Sequence, residues 1–311
     1  MPGAYAHITA VNVARERMGE DASFPNEGKA IAAAWLKYCE LGAVSPDYPY
    51  LNIADGRRSG QWADAMHWDR TGDRILAGVR TLARMPQTLS RERSLAWLLG
   101  FTAHVVMDAT VHPVVGLKVG QPYEEHKMDH RTCEMHQDTY IFESRLNLGI
   151  HYANHLTSGI CSCSDPDDED RIDPDVFYLW NEMFKEADMR LYVENAPSIH
   201  AWHDCFEDIV GHVADSRLVA LARHIAPGRL DGKVYPLFED VEAQYLTNLE
   251  VPGGGRMDYD AIFDKGVGNV VRAWAVVASD VLTGTALAGG FLRNWNLDTG
   301  EDEAGTLTFW S

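Results

Sequence analysis

The segment Leu95-Ala-Trp-Leu-Leu-Gly-Phe-Thr-Ala-His104-Val-Val-Met-Asp108-Ala-Thr-Val-His112-Pro113 decides how the rest of the chain is read. A helix turns once per about 3.6 residues, so side chains four apart line one face. His104, Asp108 and His112 therefore stand in a row on an otherwise apolar helix. Burying such groups is costly unless something pairs with them, and a divalent metal pairs with all three. A second candidate helix repeats the spacing with His130 and Glu134. Imidazole together with carboxylate suits zinc, and the chain reads as built around a buried metal cluster.

Outside this segment, helical periodicity covers residues 6–17, 27–41, 71–83, 91–111, 124–147, 174–186, 198–226, 237–249 and 259–287. Alternating β-branched runs are scarce, so the expected architecture is all-α, a single large multi-helix domain around the metal cluster. Ser90 is placed to cap the helix of the metal row, and Pro113 to stop it just after His112. Pro46 and Pro49 make residues 42–60 read as a rigid loop. Residues 162–173 read as an acidic surface loop without the central glycine of a calcium site. That loop marks the expected division between a metal-binding catalytic half, 1–160, and a helical C-terminal half, 161–311, packed on the first. No internal repeat is evident.

The 311 residues, 46% of them hydrophobic, can bury a sizeable core. Lys and Arg number 27 against 46 Asp and Glu, a formal net charge of −19. Such a body repels a polyanion at long range, which counts against a general nucleic-acid binder, although bound dications reverse the sign locally. Cys39, Cys133, Cys161, Cys163 and Cys205 form neither a disulfide framework nor a Cys-x-x-Cys site, and read as reduced thiols. The N-terminal residues lack the basic and apolar regions of a signal peptide. The expected compartment is therefore the cytoplasm, and action outside it would need a non-classical export route. Residues 273–292 are the most membrane-like stretch, but Arg272 and Arg293 bracket them and Asp280 sits inside. They read as a buried helix, so contact with a membrane would be transient and without a transmembrane segment.

His-Glu-x-x-His and Glu-x-x-His are both missing, which removes the zinc-peptidase and di-iron bundle patterns. His203-Asp204 lacks the ordered partners that would make it a metal motif, and His136 lies two residues past Glu134, off the row. Tyr48, Tyr50, Trp62 and Trp68 cluster in sequence. They would either line a pocket for a headgroup or a base, or pack against neighbouring helices.

Five pieces occur in one order: Ala4-Tyr-Ala-His7, Leu41-Gly-Ala-Val-Ser-Pro-Asp47, Met66-His67-Trp68, the run from Gly100 to His112, and His130-Arg-Thr-Cys-Glu134. The ordered set resembles the zinc-dependent phospholipase C family. That family shares its helical fold with fungal single-strand nucleases and with the N-terminal part of glycosylphosphatidylinositol-specific phospholipase D. The resemblance spans roughly the first half of the chain and ends at about Asn154. It implies two or three zinc ions. His67, His104 and Asp108 would hold one, with Asp47 beside it as a ligand or as the base for the attacking water. His112, His130 and Glu134 would hold a second. His7 and a bridging Asp108 would hold a third, completed by the N-terminal residue, here Pro2 after removal of Met1.

The implied activity is phosphodiester hydrolysis of the phospholipase C type. A metal-activated hydroxide would attack the phosphorus of a phospholipid or related small phosphodiester. Two alternatives stand beside it. One is a nuclease or nucleotidase on the same scaffold. The other is a non-catalytic, metal-stabilised interaction module whose C-terminal half meets a protein partner.

Overall fold

A helix that is apolar on all sides is stable only where other elements surround it. The computed structural model, which describes residues 3–52, 55–146, 158–215 and 235–311, puts the metal-row helix in that position. In chain order the helices are α1 (Ala4–Glu20), α2 (Asn26–Ala34), α3 (Leu36–Val44), α4 (Tyr48–Leu51), α5 (Arg57–Trp68), α6 (Thr71–Arg84), α7 (Leu89–Val119), α8 (Tyr123–Leu146), α9 (Pro174–Ala187), α10 (Met189–Glu194), α11 (Ile199–Asp215), α12 (Tyr259–Thr283) and α13 (Ala288–Phe291). Two small antiparallel hairpins join β1 (Ser164–Asp165) to β2 (Asp168–Ile172) and β3 (Leu249–Glu250) to β4 (Arg256–Met257). The fold is all-α, with these hairpins as its only described strands.

Every residue of α7 from Leu95 to Gly116 is buried, with α1, α3, α6, α8, α9 and α12 packed around it. It is the one described helix long and apolar enough to cross a membrane, and its most apolar window is wholly buried in protein. Thr102 and Thr110 donate their hydroxyls to the Leu98 and Val106 carbonyls of the same helix. That satisfies their burial locally. His104, Asp108 and His112 have no such local solution, and the surrounding helices must supply one.

Two glycines set how closely α3 and α7 approach. A Cβ on Gly100 would lie 1.9 Å from the Cys39 carbonyl oxygen, and one on Gly42 would lie 2.0 Å from that of Trp97. With no side chain at either position the two backbones meet directly. On another face of α7, Trp274 of α12 donates its indole N–H to the Leu99 carbonyl at 2.6 Å.

Pro113 does not stop α7, which runs on to Val119. An interior proline frees the carbonyl four residues before it. Here that is Ala109, and Gly300, at φ 72°, sits against both: a Cβ there would come within 2.5 Å of the Ala109 oxygen and of the Pro113 ring. Trp310 donates its indole N–H to the adjacent Thr110 carbonyl at 2.9 Å. Gly300 and Trp310 thus pack against the irregularity. At the other end the cap position is Thr88, whose side chain caps no helix N–H, and Ser90 lies inside the helix.

Other expectations change for local reasons. The predicted helix 27–41 breaks at Trp35, whose φ of −115° and ψ of 33° separate α2 from α3. The described residues of the segment 42–60 are largely helical. Pro46 lies in the first turn of a short 3-10 helix, Ser45–Asp47, and Pro49 in that of α4, where a missing N–H costs nothing. The acidic segment forms the β1–β2 hairpin, with Asp168 to Arg171 exposed. Residues 237–249 form 3-10 turns and β3 in place of a helix. His136 Nδ1 accepts the Glu242 N–H at 3.1 Å and Gln137 donates to the Tyr245 carbonyl at 3.0 Å, so side chains of α8 take backbone groups a helix would use. Residues 284–287 turn away from α12 at Gly284, and Asp280 accepts from the N–H groups of Leu287 and Ala288. Of the predicted helix 198–226, residues 216–226 lie outside the described residues.

The crossing of α3 and α7 yields a stability prediction. Gly100→Ala should destabilise the protein by about 2 kcal/mol or more in denaturant unfolding, because a rigid backbone blocks the new methyl. Gly268→Ala, in α12 where an added Cβ would meet nothing within 4 Å, should be neutral or stabilising. Equal effects of the two substitutions would show that the crossing is not tight.

Candidate metal centre

The row on α7 meets three other elements around Asp108. His7, in the second turn of α1, brings its Nε2 within 3.2 Å of Asp108 Oδ1. His67, near the end of α5, stands 3.9 Å from Asp108 Oδ2 and 3.3 Å from Asp47 Oδ1, at the end of the 3-10 turn. His104 Nε2 lies 3.3 Å from Asp108 Oδ2 and 3.3 Å from His67 Nε2. Further along, His112 Nε2 is 3.8 Å from Asp108 Oδ1 and 3.2 Å from Glu134 Oε1, and His130 Nδ1 is 3.2 Å from that same Glu134 oxygen. The His130–Glu134 row of α8 thus faces the row of α7.

Among the described residues, donor atoms lie within 4.8 Å of one another in Asp47, His67 and His104 and in His7, His104 and Asp108. The set the resemblance implied, His67, His104 and Asp108, is equally close, with separations of 3.3–3.9 Å. Asp47 joins His67 and His104 directly, and His104 stands between the triplets. Pro2 lies outside the described residues.

Three imidazoles are fixed by main-chain acceptors. His67 Nδ1 meets the Ala63 carbonyl at 2.7 Å, His104 Nδ1 that of Ala43 at 2.8 Å, and His112 Nδ1 that of Leu297 at 2.6 Å. A carbonyl only accepts, so each bond needs the proton on Nδ1, and a neutral ring then turns the Nε2 lone pair towards the cluster. Burial raises the Asp108 carboxyl, but the imidazoles of His104, His112 and His7 outweigh it and hold that carboxyl well below its usual range. Asp47 is lowered in the same way, with burial opposed by His104 and His67. For His130, burial itself lowers the imidazole and favours its neutral form.

In the neutral form of those rings the Nε2 lone pairs face carboxylates and one another at 3.2–3.9 Å. That arrangement repels unless a cation stands between them. Two ligand atoms each about 2.1 Å from a tetrahedral zinc are about 3.4 Å apart, close to these separations. Both Asp108 oxygens, both His7 nitrogens, both His130 nitrogens, His112 Nε2 and Asp47 Oδ1 are buried without a hydrogen-bond partner among the described residues. So dense a set of unsatisfied buried atoms is abnormal for a closed core. The residues present fit a cluster of divalent ions, and imidazole with carboxylate fits zinc.

The centre is open at one edge. Asp47 has a side chain 21% exposed, whereas those of the other seven residues are at 2% or less. Around that edge the four clustered aromatics divide. Tyr48 and Trp62 are buried, packed on Phe206 and Phe184. Tyr50 and Trp68 are exposed: the Tyr50 ring lies 5.5 Å from the His67 ring, and Trp68 donates its indole N–H to Asp298 at 2.7 Å. His136 is held by Glu242, and His203 contacts Ser164 and Glu207, so neither joins the cluster.

Sequence reasoning missed the supports. The carbonyls of Ala43, Ala63 and Leu297 carry no side-chain signature, and Leu297 lies far beyond the recognised motifs. Asp138 did carry a signal, because it continues the row His130, Glu134 at the same spacing of four. It is buried and binds the Gly3 N–H at 3.0 Å.

Removing bound metal should lower the thermal midpoint, because buried carboxylates would lose their compensating charge, and added zinc should restore it. Asp108→Asn should lower metal content more than His136→Ala. Chelator treatment that leaves the melting curve unchanged, or equal metal loss in the two variants, would contradict this arrangement.

A profile of the zinc-dependent phospholipase C family matches residues 6–190, a stretch that contains all eight residues of the centre. No curated protein and no solved structure matches the chain. The profile covers more than half of the 311 residues, and the chain belongs to the zinc-dependent phospholipase C family.

Proposed function

We propose that the chain is a zinc-dependent phosphodiesterase of the phospholipase C type, acting on a phospholipid or a related small phosphodiester. His7, Asp47, His67, His104, Asp108, His112, His130 and Glu134 would hold two or three zinc ions. Zinc held there supplies Lewis-acid activation of water and neutralises charge that develops on phosphoryl oxygens. The observation that carries the reading is the exposure of Asp47, 21% in its side chain, beside His67 and His104. A structural zinc site is closed, whereas a catalytic one keeps an accessible position. Asp47 is ionised and reaches solvent, which suits it to orient the attacking water and take its proton.

The rim favours a cationic headgroup. Partial burial pushes the Tyr50 hydroxyl up, and the nearby carboxylates of Asp64, Asp47 and Asp298 add to it. Two exposed rings, Tyr50 and Trp68, thus stand among acidic groups. Aromatic faces with carboxylates attract choline or ethanolamine and repel the phosphates of a long nucleic acid. That rim, with the net charge of −19, gives the nuclease alternative less support.

The test is a panel of vesicles carrying choline, ethanolamine, inositol and glycerol headgroups, with single-stranded DNA beside it. Diacylglycerol and the phosphorylated headgroup should appear, most with choline or ethanolamine. Asp47→Asn should lower kcat by about 100-fold or more, as expected on losing a general base. Trp68→Ala should raise KM several-fold with a smaller change in kcat. Phosphatidate as the product, or hydrolysis of DNA but of no lipid, would overturn the assignment.

A further inference from the structure

His7 is tethered differently from the other imidazoles. His67, His104 and His112 each anchor Nδ1 on a main-chain carbonyl, whereas His7 Nδ1 is buried without a hydrogen-bond partner among the described residues. Its ring is stacked on that of His104, with centroids 4.0 Å apart, a contact that does not fix where its nitrogens point. Ligand rings are normally oriented by a bond from the second nitrogen. Something else must place this one.

The start of α1 supplies it. The Gly3 carbonyl accepts the N–H groups of Ala6 and His7, at 3.1 and 3.4 Å, so Gly3 closes the turn from which His7 projects. The Gly3 N–H in turn donates to Asp138 Oδ1 at 3.0 Å, and Asp138 Oδ2 accepts the Tyr235 hydroxyl at 3.0 Å. All three residues are buried. A Cβ on Gly3 would lie 1.7 Å from Asp138 Oδ2 and 2.3 Å from the Tyr235 hydroxyl. Gly3 has φ −70° and ψ 172°, a conformation open to any residue, so the demand for glycine is one of space. Asp138 stands on the same face of α8 as His130 and Glu134, one turn beyond the latter. The helix that carries one end of the cluster therefore grips the residue that sets the other.

We propose that Asp138, braced by Tyr235, is the positioning residue for His7: it seats Gly3, and through the first turns of α1 holds the His7 ring in the metal centre. The inference rests on the reading of the cluster as a zinc site. The seat acts locally, because α1 is held further along by Asn12 to Glu40 at 2.7 Å and by Arg17 to Asp264. Losing the seat frees the first turns and leaves the helix docked.

The test measures zinc per chain after dialysis against graded free zinc, together with the thermal midpoint of the zinc-loaded protein. Asp138→Ala should weaken one zinc by about 10- to 100-fold, the usual effect of losing an outer support, and leave the others bound. His7→Ala should lose that same zinc, and the double variant should lose no more than His7→Ala. Asp138→Asn keeps an oxygen for the Gly3 N–H and should retain most of the affinity. Tyr235→Phe, which removes only the brace, should show a smaller loss, and serves if Asp138→Ala does not fold. Wild-type zinc affinity in Asp138→Ala, or in Tyr235→Phe where Asp138→Ala is unfolded, overturns the proposal. So does a uniform loss of every zinc in step with the thermal midpoint. Wild-type protein that binds no zinc overturns the metal reading and this inference together.

Discussion

Asp108 places a negative charge at the middle of a helix with no solvent contact, and the surrounding architecture follows from how that charge is compensated. Leaving a buried charge uncompensated costs several kcal/mol, against a total stability of about 5–15 kcal/mol for a typical domain. A mismatch of that size would leave little margin. Imidazoles from α1, α5 and α7 itself lie within 3.9 Å of its two oxygens. They bring lone pairs as well as partial charge, which a bound cation would match. A metal bound at this residue would couple its binding to folding.

The imidazoles can do this because main-chain carbonyls hold their far nitrogens. The bond from His104 to Ala43 requires the backbone of α3 to lie against α7, which Gly42 and Gly100 permit. The bond from His112 to Leu297 requires the C-terminal tail to thread past the centre. Leu297 donates its own N–H to the His67 carbonyl at 2.7 Å, so one tail residue joins α5 to α7. Gly300 and Trp310 extend the contact over the irregularity at Pro113. The family profile ends at residue 190, so this chain supports a family-type centre with parts from outside the matched region.

The chemistry concentrates where this enclosure stops. Seven of the eight residues are sealed, and Asp47 sits at the end of a short 3-10 helix whose proline fixes the turn. The same short stretch presents Tyr50 to solvent beside His67, while Trp68 follows His67 directly. Access, a candidate base and two candidate headgroup contacts therefore lie within one surface region, and a rigid core of helices fixes their spacing.

By itself, the sequence determined the all-α class and the two rows of metal-type side chains, because both are periodic at the spacing of a helix. It also carries the next member of the second row, Asp138, whose partner, a main-chain N–H, has no signature in the sequence. Pro46 and Pro49 marked a break in regular helix, but their tolerance in first turns depends on how short helices abut. Residues 237–249 had helical periodicity, and α8 overrode it by taking their backbone groups. Only the tertiary structure decided which residues share a donor triplet, which edge is open and which carbonyls orient the rings. Those outcomes depend on contacts between main-chain atoms far apart in the chain, such as His112 with Leu297 across 185 positions. Main-chain acceptors are the same at every residue, so no residue type in the sequence announces them.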